Sequence, residues 1–195
     1  QKQAASCIEG PSMVIACPGS GKTRVLTYRI AHMIHSGIEP GQIMALTFTN
    51  KAAREMKDRI EVLVGTKAQR VWAGTFHSIF ARILRVEAHK IGFPNDFTIY
   101  DTDDTKSVIS EILTQLNLDK KVYVPNVIKS RISSAKSNLI TPKAYAANEE
   151  LMAYDRMNRR PMTHLIYEKY VAKCQRAGAM DFDDLLFKMY ILLKN

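Results

Sequence analysis

The sequence predicts an α/β fold in which a parallel sheet with helices on both faces is followed by an all-helical segment. Short apolar runs alternate with helical patterns over the first 100 residues, as in parallel strands joined by crossover helices. A glycine-rich turn separates the first of these runs from the first helix. After Tyr100 the pattern is helical throughout, so the helical segment is expected to begin at residue 101.

The first part contains three predicted strand–helix pairs: strand 12–17 with helix 21–36, strand 43–48 with helix 51–64, and strand 71–73 with helix 76–90. The strands are short and apolar, as buried parallel strands are. Each helix carries an apolar stripe at a spacing of three and four residues. Asn50 is predicted to cap the second helix and Gly65 to end it.

The second part is predicted to consist of helices alone, at residues 101–117, 125–136, from 142, within 149–177, and at 183–194. Asp101 suits the start of a helix because its carboxylate can accept from free backbone N–H groups. Pro125 and Pro142 suit the first helical position, where no N–H donor is needed. No repeat or low-complexity segment interrupts the pattern.

The formal net charge is +9 and the sequence pI about 9.5, which favours a polyanionic partner. The basic residues concentrate in residues 51–90 and in residues 129–148, and the second stretch contains no acid. A merely solvated surface is the alternative. The apolar runs are too short for a membrane span and the N-terminal residues do not resemble a signal peptide. Three scattered cysteines suggest neither disulfides nor a zinc site.

Residues Ala16-Cys17-Pro18-Gly19-Ser20-Gly21-Lys22-Thr23 match a phosphate-binding loop, apart from Ala16 in place of the opening glycine. Glycines permit the backbone to approach phosphate oxygens closely, and the following helix adds partial positive charge. Lys22 is predicted to reach the terminal phosphates and Thr23 to ligate Mg²⁺. Such a loop predicts nucleotide binding, but it does not indicate which process the energy of nucleotide hydrolysis drives.

Three further segments carry distinctive motifs: Thr47-Phe48-Thr49-Asn50-Lys51-Ala52-Ala53-Arg54-Glu55-Met56, Gly74-Thr75-Phe76-His77-Ser78 and Met180-Asp181-Phe182-Asp183-Asp184-Leu185-Leu186. In sequence and in their order along the chain, they resemble superfamily 1 DNA helicases of the UvrD/Rep/PcrA type. The phosphate loop continues as Thr23-Arg24-Val25-Leu26, again similar to the family. The resemblance covers essentially the whole chain.

The resemblance implies a partial RecA-like domain in residues 1–100, a helical insertion in 101–180 and the start of a return to the sheet in 181–195. It implies ATP as substrate with Mg²⁺, held by the phosphate loop, by Arg24 and by Gln1, which matches the glutamine that selects adenine. It implies single-stranded DNA at six positions: Phe48, Thr49, Asn50, Thr75, Phe76 and His77. A family member of this kind is expected in the bacterial cytoplasm, at the nucleoid.

The DNA assignments have a physical basis, since each motif follows a strand at the edge where open sheets bind ligands. Exposed aromatic side chains there can stack bases of any identity. The alternatives are that Phe48 and Phe76 are core residues, that Asn50 is only a cap, and that His77 is structural. Trp72 is expected to be a core residue.

Two acidic clusters are candidate Mg²⁺ ligands: Asp101, Asp103 and Asp104, and Asp181, Asp183 and Asp184. Both begin predicted helices, so capping and solvated charge are the favoured interpretation. The family's acidic Mg²⁺-binding pair, its arginine finger and its second RecA-like domain are therefore expected outside this sequence. By itself the chain is expected to show no ATP turnover.

The predicted activity is movement on single-stranded DNA and unwinding at junctions with duplex, with 3′ to 5′ direction implied by the family. A phosphate-loop kinase is one rival, but it gives the Phe48 and Phe76 motifs no role. A DNA-binding module without hydrolysis is the other. Lys22-dependent nucleotide binding and DNA-stimulated hydrolysis distinguish these possibilities.

Overall fold

The computed structural model describes residues 1–194, which form two compact units, one of residues 1–79 and one that begins at Phe80. The fold is mixed α/β and mostly helical, with two short parallel sheets. Within residues 1–194, no helix combines the length and the apolar character that crossing a bilayer requires.

The first unit contains a two-stranded parallel sheet and three helices, followed by the start of a fourth. Its elements are α1 (Lys2–Ser6), α2 (Lys22–His35), a 3-10 turn (Pro40–Gln42), β1 (Met44–Thr47), α3 (Asn50–Val64), a 3-10 turn (Gly65–Arg70), β2 (Trp72–Thr75) and the beginning of α4 (Phe76–Glu87). The core lies between α2, α3 and the sheet and consists of Ile30, Ile34, Ile43, Ala45, Met56, Ile60, Val71 and Ala73. The predicted apolar stripes of both helices therefore face this core.

The register of β1 and β2 determines what lies at the edge of this sheet. Met44 pairs with Trp72 and Thr47 with Thr75, so the two strands end side by side. The residues that follow, Phe48 and Phe76, therefore leave the sheet at neighbouring points. The strand predicted at residues 71–73 is confirmed by β2, in which Trp72 is half-buried.

The predicted strand at residues 12–17 is wrong for this structure. In the described part of the chain these residues pair with no other strand, and Met13 and Ile15 are 86% and 90% exposed. Apolar side chains alone do not make a strand, because its backbone N–H and C=O groups need a hydrogen-bonding neighbour. The predicted three-stranded sheet is thus reduced to two strands here.

The cap of α3 also differs from the prediction. Thr49, in extended conformation, accepts a hydrogen bond from the Ala52 N–H through its hydroxyl at 3.2 Å, and Asn50 is the first helical residue. The N-cap is therefore Thr49, one residue before the predicted Asn50, and its hydroxyl accepts from a free N–H of the first turn. Gly65 ends the helix with a positive φ of 61°, as predicted.

The second unit combines the rest of α4 with a second two-stranded sheet and six further helices. Its elements are a 3-10 turn (Ala88–Ile91), β3 (Thr98–Tyr100), α5 (Thr102–Gln115), α6 (Pro125–Ser137), α7 (Pro142–Ala147), α8 (Glu149–Met157), α9 (Thr163–Arg176), β4 (Ala179–Asp181) and α10 (Phe182–Lys194). Five helices, α5 to α9, thus lie between β3 and β4 along the chain.

Strands β3 and β4 pair in parallel, Thr98 with Ala179 and Tyr100 with Asp181. The expectation that no strand follows Tyr100 is therefore wrong. A strand of three residues that are all buried shows no alternation, and only its pairing with a distant segment defines it.

The helix boundaries of this unit largely confirm the sequence prediction. Asp101 caps α5 in a reciprocal capping box with Asp104, and Pro125 and Pro142 begin α6 and α7. The core between these helices is apolar and tyrosine-rich, and includes Ile109, Ile112, Leu113, Ile128, Ile132, Tyr145, Ile166, Tyr167 and Tyr170.

A buried ion cluster, formed by Lys136, Asp181, Asp184 and Tyr170, connects α6, α9, β4 and α10. Lys136 is 1% exposed and its ammonium donates to Asp181 Oδ2 at 2.7 Å and to Asp184 Oδ1 at 2.9 Å. The Tyr170 hydroxyl donates to the same Asp181 oxygen at 2.7 Å. Capping is confirmed, because Asp181 Oδ1 accepts from the Asp184 N–H at 2.8 Å, but solvated charge is wrong for these two aspartates.

The basic stretch 129–148 is correspondingly less available to a polyanion than its composition suggests. Lys136 is paired within the buried ion cluster, and Arg131 forms an ion pair with the buried Asp155 at 3.1 Å. The absence of acids within the stretch is explained by partners that come from elsewhere in the sequence. Local charge counts cannot reveal such pairs.

Candidate nucleotide and nucleic-acid sites

The phosphate loop connects the exposed segment 12–17 to α2. Gly19 and Gly21 have φ of 78° and 87°, which side chains with a Cβ rarely adopt. Gly21 is the N-cap of α2, so the loop leads directly into the helix N-terminus. The backbone conformation expected for close approach to phosphate is therefore present.

The side chains of the loop are exposed and hydrogen-bond to its own carbonyls. The Lys22 ammonium donates to the Cys17 carbonyl at 2.9 Å and to the Ala16 carbonyl at 3.2 Å. The Ser20 hydroxyl donates to the same Cys17 carbonyl at 2.6 Å. These bonds are all within the loop, so a phosphate can replace the carbonyls as the acceptor for Lys22 without disturbing the core.

The remaining predicted loop residues are also accessible. Pro18 is exposed, and Thr23 is exposed in the first turn of α2. A hydroxyl at this position suits a hard cation such as Mg²⁺, which takes oxygen ligands. Among residues 1–194 there is no group of three or more His, Cys, Asp or Glu side chains that could hold a metal by itself.

Two cavities adjoin the loop, and Gln1 lines both. One, of about 410 Å³, is lined by Gln1, Lys2, Ala5, Ser6, Arg24, Val25, Tyr28 and His32. The other, of about 640 Å³, includes Gln1, Ser12, Ala16, Ser20 and Lys22. The structure thus brings Gln1 and Arg24 together in the lining of one cavity beside the phosphate loop.

Tyr28 and His32 belong to the first cavity and were missed in the sequence. They follow Arg24 at intervals of four residues, so all three lie on one face of α2. The Arg24 guanidinium lies 5.5 Å from the centroid of the Tyr28 ring, within the range of a cation–π contact. The spacing of these residues is visible in the sequence. The sequence does not show, however, that this face of α2 lines a cavity, because the cavity is formed only where α1 packs beside α2.

Phe48 and Phe76 meet at the carboxyl edge of the first sheet. Their ring centroids are 5.4 Å apart with an interplanar angle of 44°, and Phe48 is 88% exposed. The alternative that Phe48 is a core residue is therefore excluded. Phe76 is half-buried and its ring contacts the exposed ring of Phe48. An exposed aromatic ring held by a second ring is a suitable stacking platform.

The segment Gly74-Thr75-Phe76-His77-Ser78 is organised around the Ser78 hydroxyl. It accepts from the Thr75 N–H and donates to the Thr75 carbonyl, both at 3.0 Å. A Cβ at Gly74 would lie 2.8 Å from this oxygen, which explains the glycine. Thr75 is buried and its hydroxyl is bonded to Ser78, whereas His77 is half-buried and Thr49 and Asn50 are exposed.

Comparison with known proteins identifies the family of the chain. The profile of the UvrD/REP helicase N-terminal domain matches residues 1–195. The chain is 43% identical over 187 residues to a protein of Staphylococcus aureus named ATP-dependent DNA helicase PcrA, and 44% identical to one of the same name in Staphylococcus epidermidis. Each alignment covers 95% of this chain and 25% of the relative, so the chain spans about a quarter of the relatives' length. The chain belongs to the UvrD/REP helicase family and matches its N-terminal domain.

Proposed function

We propose that this chain is the N-terminal part of an ATP-dependent DNA helicase that moves along single-stranded DNA and unwinds its junctions with duplex. One observation carries the proposal: the phosphate loop and the Phe48–Phe76 pair belong to the same compact unit. A nucleotide and a DNA strand that bind to one compact unit can affect each other's affinity, because a change of conformation at one site can extend to the other.

The nucleotide site is proposed to bind ATP through the residues of the loop. Lys22 leaves its two loop carbonyls to contact the terminal phosphates, and the backbone from Cys17 to Gly21 surrounds them. Gln1 and Arg24 border the cavity proposed for the base. Thr23 would hold Mg²⁺, which neutralises the charge that develops on the phosphates during hydrolysis.

The DNA site is proposed to lie at the carboxyl edge of β1 and β2. Phe48 stacks a base, Thr49 and Asn50 offer polar groups beside it, and His77 borders the same edge. Thr75 is proposed to act through its backbone and through Ser78, since its own hydroxyl is engaged. Movement from 3′ to 5′ is part of the proposal.

We assign the remaining parts of the helicase motor to a longer protein of which residues 1–195 are the N-terminal part. Residues 1–100 are assigned to a RecA-like domain, 101–180 to a helical insertion, and 181–195 to the start of the return to that domain. The acidic Mg²⁺-binding pair, the arginine finger and a second RecA-like domain are assigned to the rest of the polypeptide. A helicase of this kind would act in the cytoplasm, on the nucleoid.

DNA-stimulated hydrolysis tests the function directly. The full-length protein that contains this chain should release phosphate from ATP much faster with single-stranded DNA than without it, and should separate duplexes that carry a 3′ single-stranded tail. The 195-residue chain alone should show no turnover above a blank without protein. Hydrolysis that is indifferent to DNA would favour a phosphate-loop kinase, and DNA binding without hydrolysis would favour a simple binding module.

Replacement of Phe48 by Ala is expected to weaken single-stranded DNA binding by about 1–3 kcal/mol, the usual range for one stacked base. The loss should be similar on oligonucleotides of different sequence, because stacking does not depend on base identity. Fluorescence anisotropy on the full-length protein measures it. Val62→Ala is the matched control, since Val62 is also an exposed apolar residue of this unit. Unchanged DNA affinity in the Phe48→Ala protein would contradict the assignment.

A further inference from the structure

Tyr28 borders two depressions in the surface of the first unit. With Arg24 it lines the cavity of about 410 Å³ beside the phosphate loop. With Arg24 it also lines a groove of about 380 Å³ between α2 and α3, to which α3 contributes Asp58 and Val62. Arg24 and Tyr28 therefore form the wall that the cavity and this α2–α3 groove share.

The Arg24 guanidinium is held by the Tyr28 ring and not by an acid. It lies over the ring, 5.5 Å from the centroid, where the negative face of the ring attracts a cation. Arg70 of the same unit is instead paired with Glu39 at 2.8 Å. Among residues 1–194, no carboxylate forms an ion pair with Arg24. The orientation of this guanidinium therefore depends on the ring.

Asp58 is a competing partner for the same guanidinium. It is exposed on α3 and lines the α2–α3 groove together with Arg24. An exposed ion pair and an exposed cation–π contact are of similar strength, so neither partner dominates by its chemistry alone. The ring therefore decides whether the guanidinium stays at the cavity or turns into the groove.

We infer that Tyr28 is a positioning residue for Arg24: its ring holds the guanidinium at the cavity, where it can contact a nucleotide base, and away from Asp58. The inference rests on the proposed function, in which Arg24 borders the cavity for the base of ATP. A planar guanidinium that is already held in place loses less side-chain entropy when it contacts a base. Tyr28 therefore acts on the affinity for the base, whereas the phosphates are bound at the loop.

Ligands with and without a base distinguish this role from a general effect on the loop. Binding of ATP and of tripolyphosphate, each with Mg²⁺, is measured by calorimetry on the full-length protein and on its Tyr28→Leu and Tyr28→Phe variants. Loss of one exposed cation–π contact corresponds to roughly 2- to 5-fold in affinity. We expect Tyr28→Leu to bind ATP weaker by this factor and tripolyphosphate as the parent does. Tyr28→Phe keeps the ring and should bind both ligands as the parent does.

Steady-state kinetics and a matched variant complete this test. In Tyr28→Leu the KM for ATP should rise by the same factor while kcat is unchanged, because a contact made equally in the ground state and the transition state is removed. Tyr154→Leu is the control: Tyr154 is 50% exposed against 47% for Tyr28, and it also has an arginine, Arg131, over its ring at 4.5 Å. Its loss should leave ATP affinity unchanged, since it belongs to the second unit.

Asp58→Asn tests whether the acid competes for Arg24. In the Tyr28→Leu background this substitution should raise ATP affinity back toward that of the parent, because the partner that draws Arg24 into the groove is removed. In the parent background it should change nothing, because Arg24 is not paired with Asp58 there. A merely structural role of the tyrosine would not produce this rescue.

The outcomes separate the inference from the function on which it rests. Parent-like ATP binding by Tyr28→Leu, or an equal loss of tripolyphosphate binding, would refute the positioning role. The role is also refuted if Tyr28→Phe is as weak as Tyr28→Leu, or if Asp58→Asn restores nothing. An Arg24→Ala protein that binds ATP as tightly as the parent would instead remove the base contact from the proposed function. Absence of Lys22-dependent ATP binding in the parent would remove that function altogether.

Discussion

Replacement of Lys22 by Ala is expected to abolish ATP hydrolysis and unwinding by the full-length protein while its fold persists. The ammonium is the point charge that meets the terminal phosphates, and loss of one preorganised contact to a developing charge costs about 10²-fold or more in rate. The fold should persist because Lys22 is exposed and bonds only to two carbonyls of its own loop.

Steady-state phosphate release at saturating single-stranded DNA measures the loss, and circular dichroism checks the fold. Lys57→Ala is the matched control, since Lys57 is an exposed lysine on α3 that lines neither of the two cavities beside the loop. A Lys22→Ala protein that hydrolyses ATP at the parent rate would remove the assignment of the phosphate loop and with it the proposed helicase activity.

Replacement of Asp181 by Asn is expected to destabilise the second unit by about 3–5 kcal/mol, the usual cost of removing one partner from a buried ion pair. Burial opposes ionisation of Asp181, but the charge and hydrogen bond of Lys136, together with the hydrogen bonds from Tyr170 and the Asp184 N–H, hold the pKa of this carboxyl below its ordinary value. An asparagine would remove one of the two negative charges that face the Lys136 ammonium. It would also turn an NH₂ group toward a hydrogen-bond donor, because both Asp181 oxygens accept hydrogen bonds.

Asp184→Asn is the matched control and should cost less. Burial raises the pKa of Asp184, and the neighbouring charge of Asp181 adds to this effect, although Lys136 opposes it. Ionisation of Asp184 therefore contributes less to the stability of the fold than ionisation of Asp181, and an uncharged replacement of the same size changes less. Hydrogen exchange measured by mass spectrometry in α6, α9 and α10 reports on the second unit alone, and equal losses of protection in the two variants would contradict the prediction.

The difference between the parent and Asp181→Asn should depend on pH. Because the pKa of Asp181 is lower in the folded state, the stability that its ionised form contributes is complete above the ordinary value of 3.8. That contribution is lost as the pH falls through the lower folded pKa. The two proteins should therefore converge in stability in strong acid and differ most near neutral pH.

The sequence alone determined the features that depend on neighbouring residues. The helices α2, α3 and α5, their apolar stripes, the cap at Asp101 and the positive φ at Gly65 all follow from local spacing and from glycine and aspartate chemistry. The glycine-rich loop and its lysine were recognisable for the same reason, because residues six apart or fewer form the whole arrangement. The family resemblance added Gln1 and Arg24, which no local pattern could have selected.

Only the tertiary structure decided what depends on partners distant in sequence. Residues 12–17 have the composition of a strand but no hydrogen-bonding neighbour, whereas β4 has almost no strand pattern but pairs with β3. Lys136 and Asp181 appear in the sequence as surface charges, yet burial of both makes them a single ion pair. The exposure of Phe48 likewise depends on what the fold leaves uncovered. Pairing and burial are properties of the folded chain, since each side chain's environment is supplied by segments that the sequence places far away.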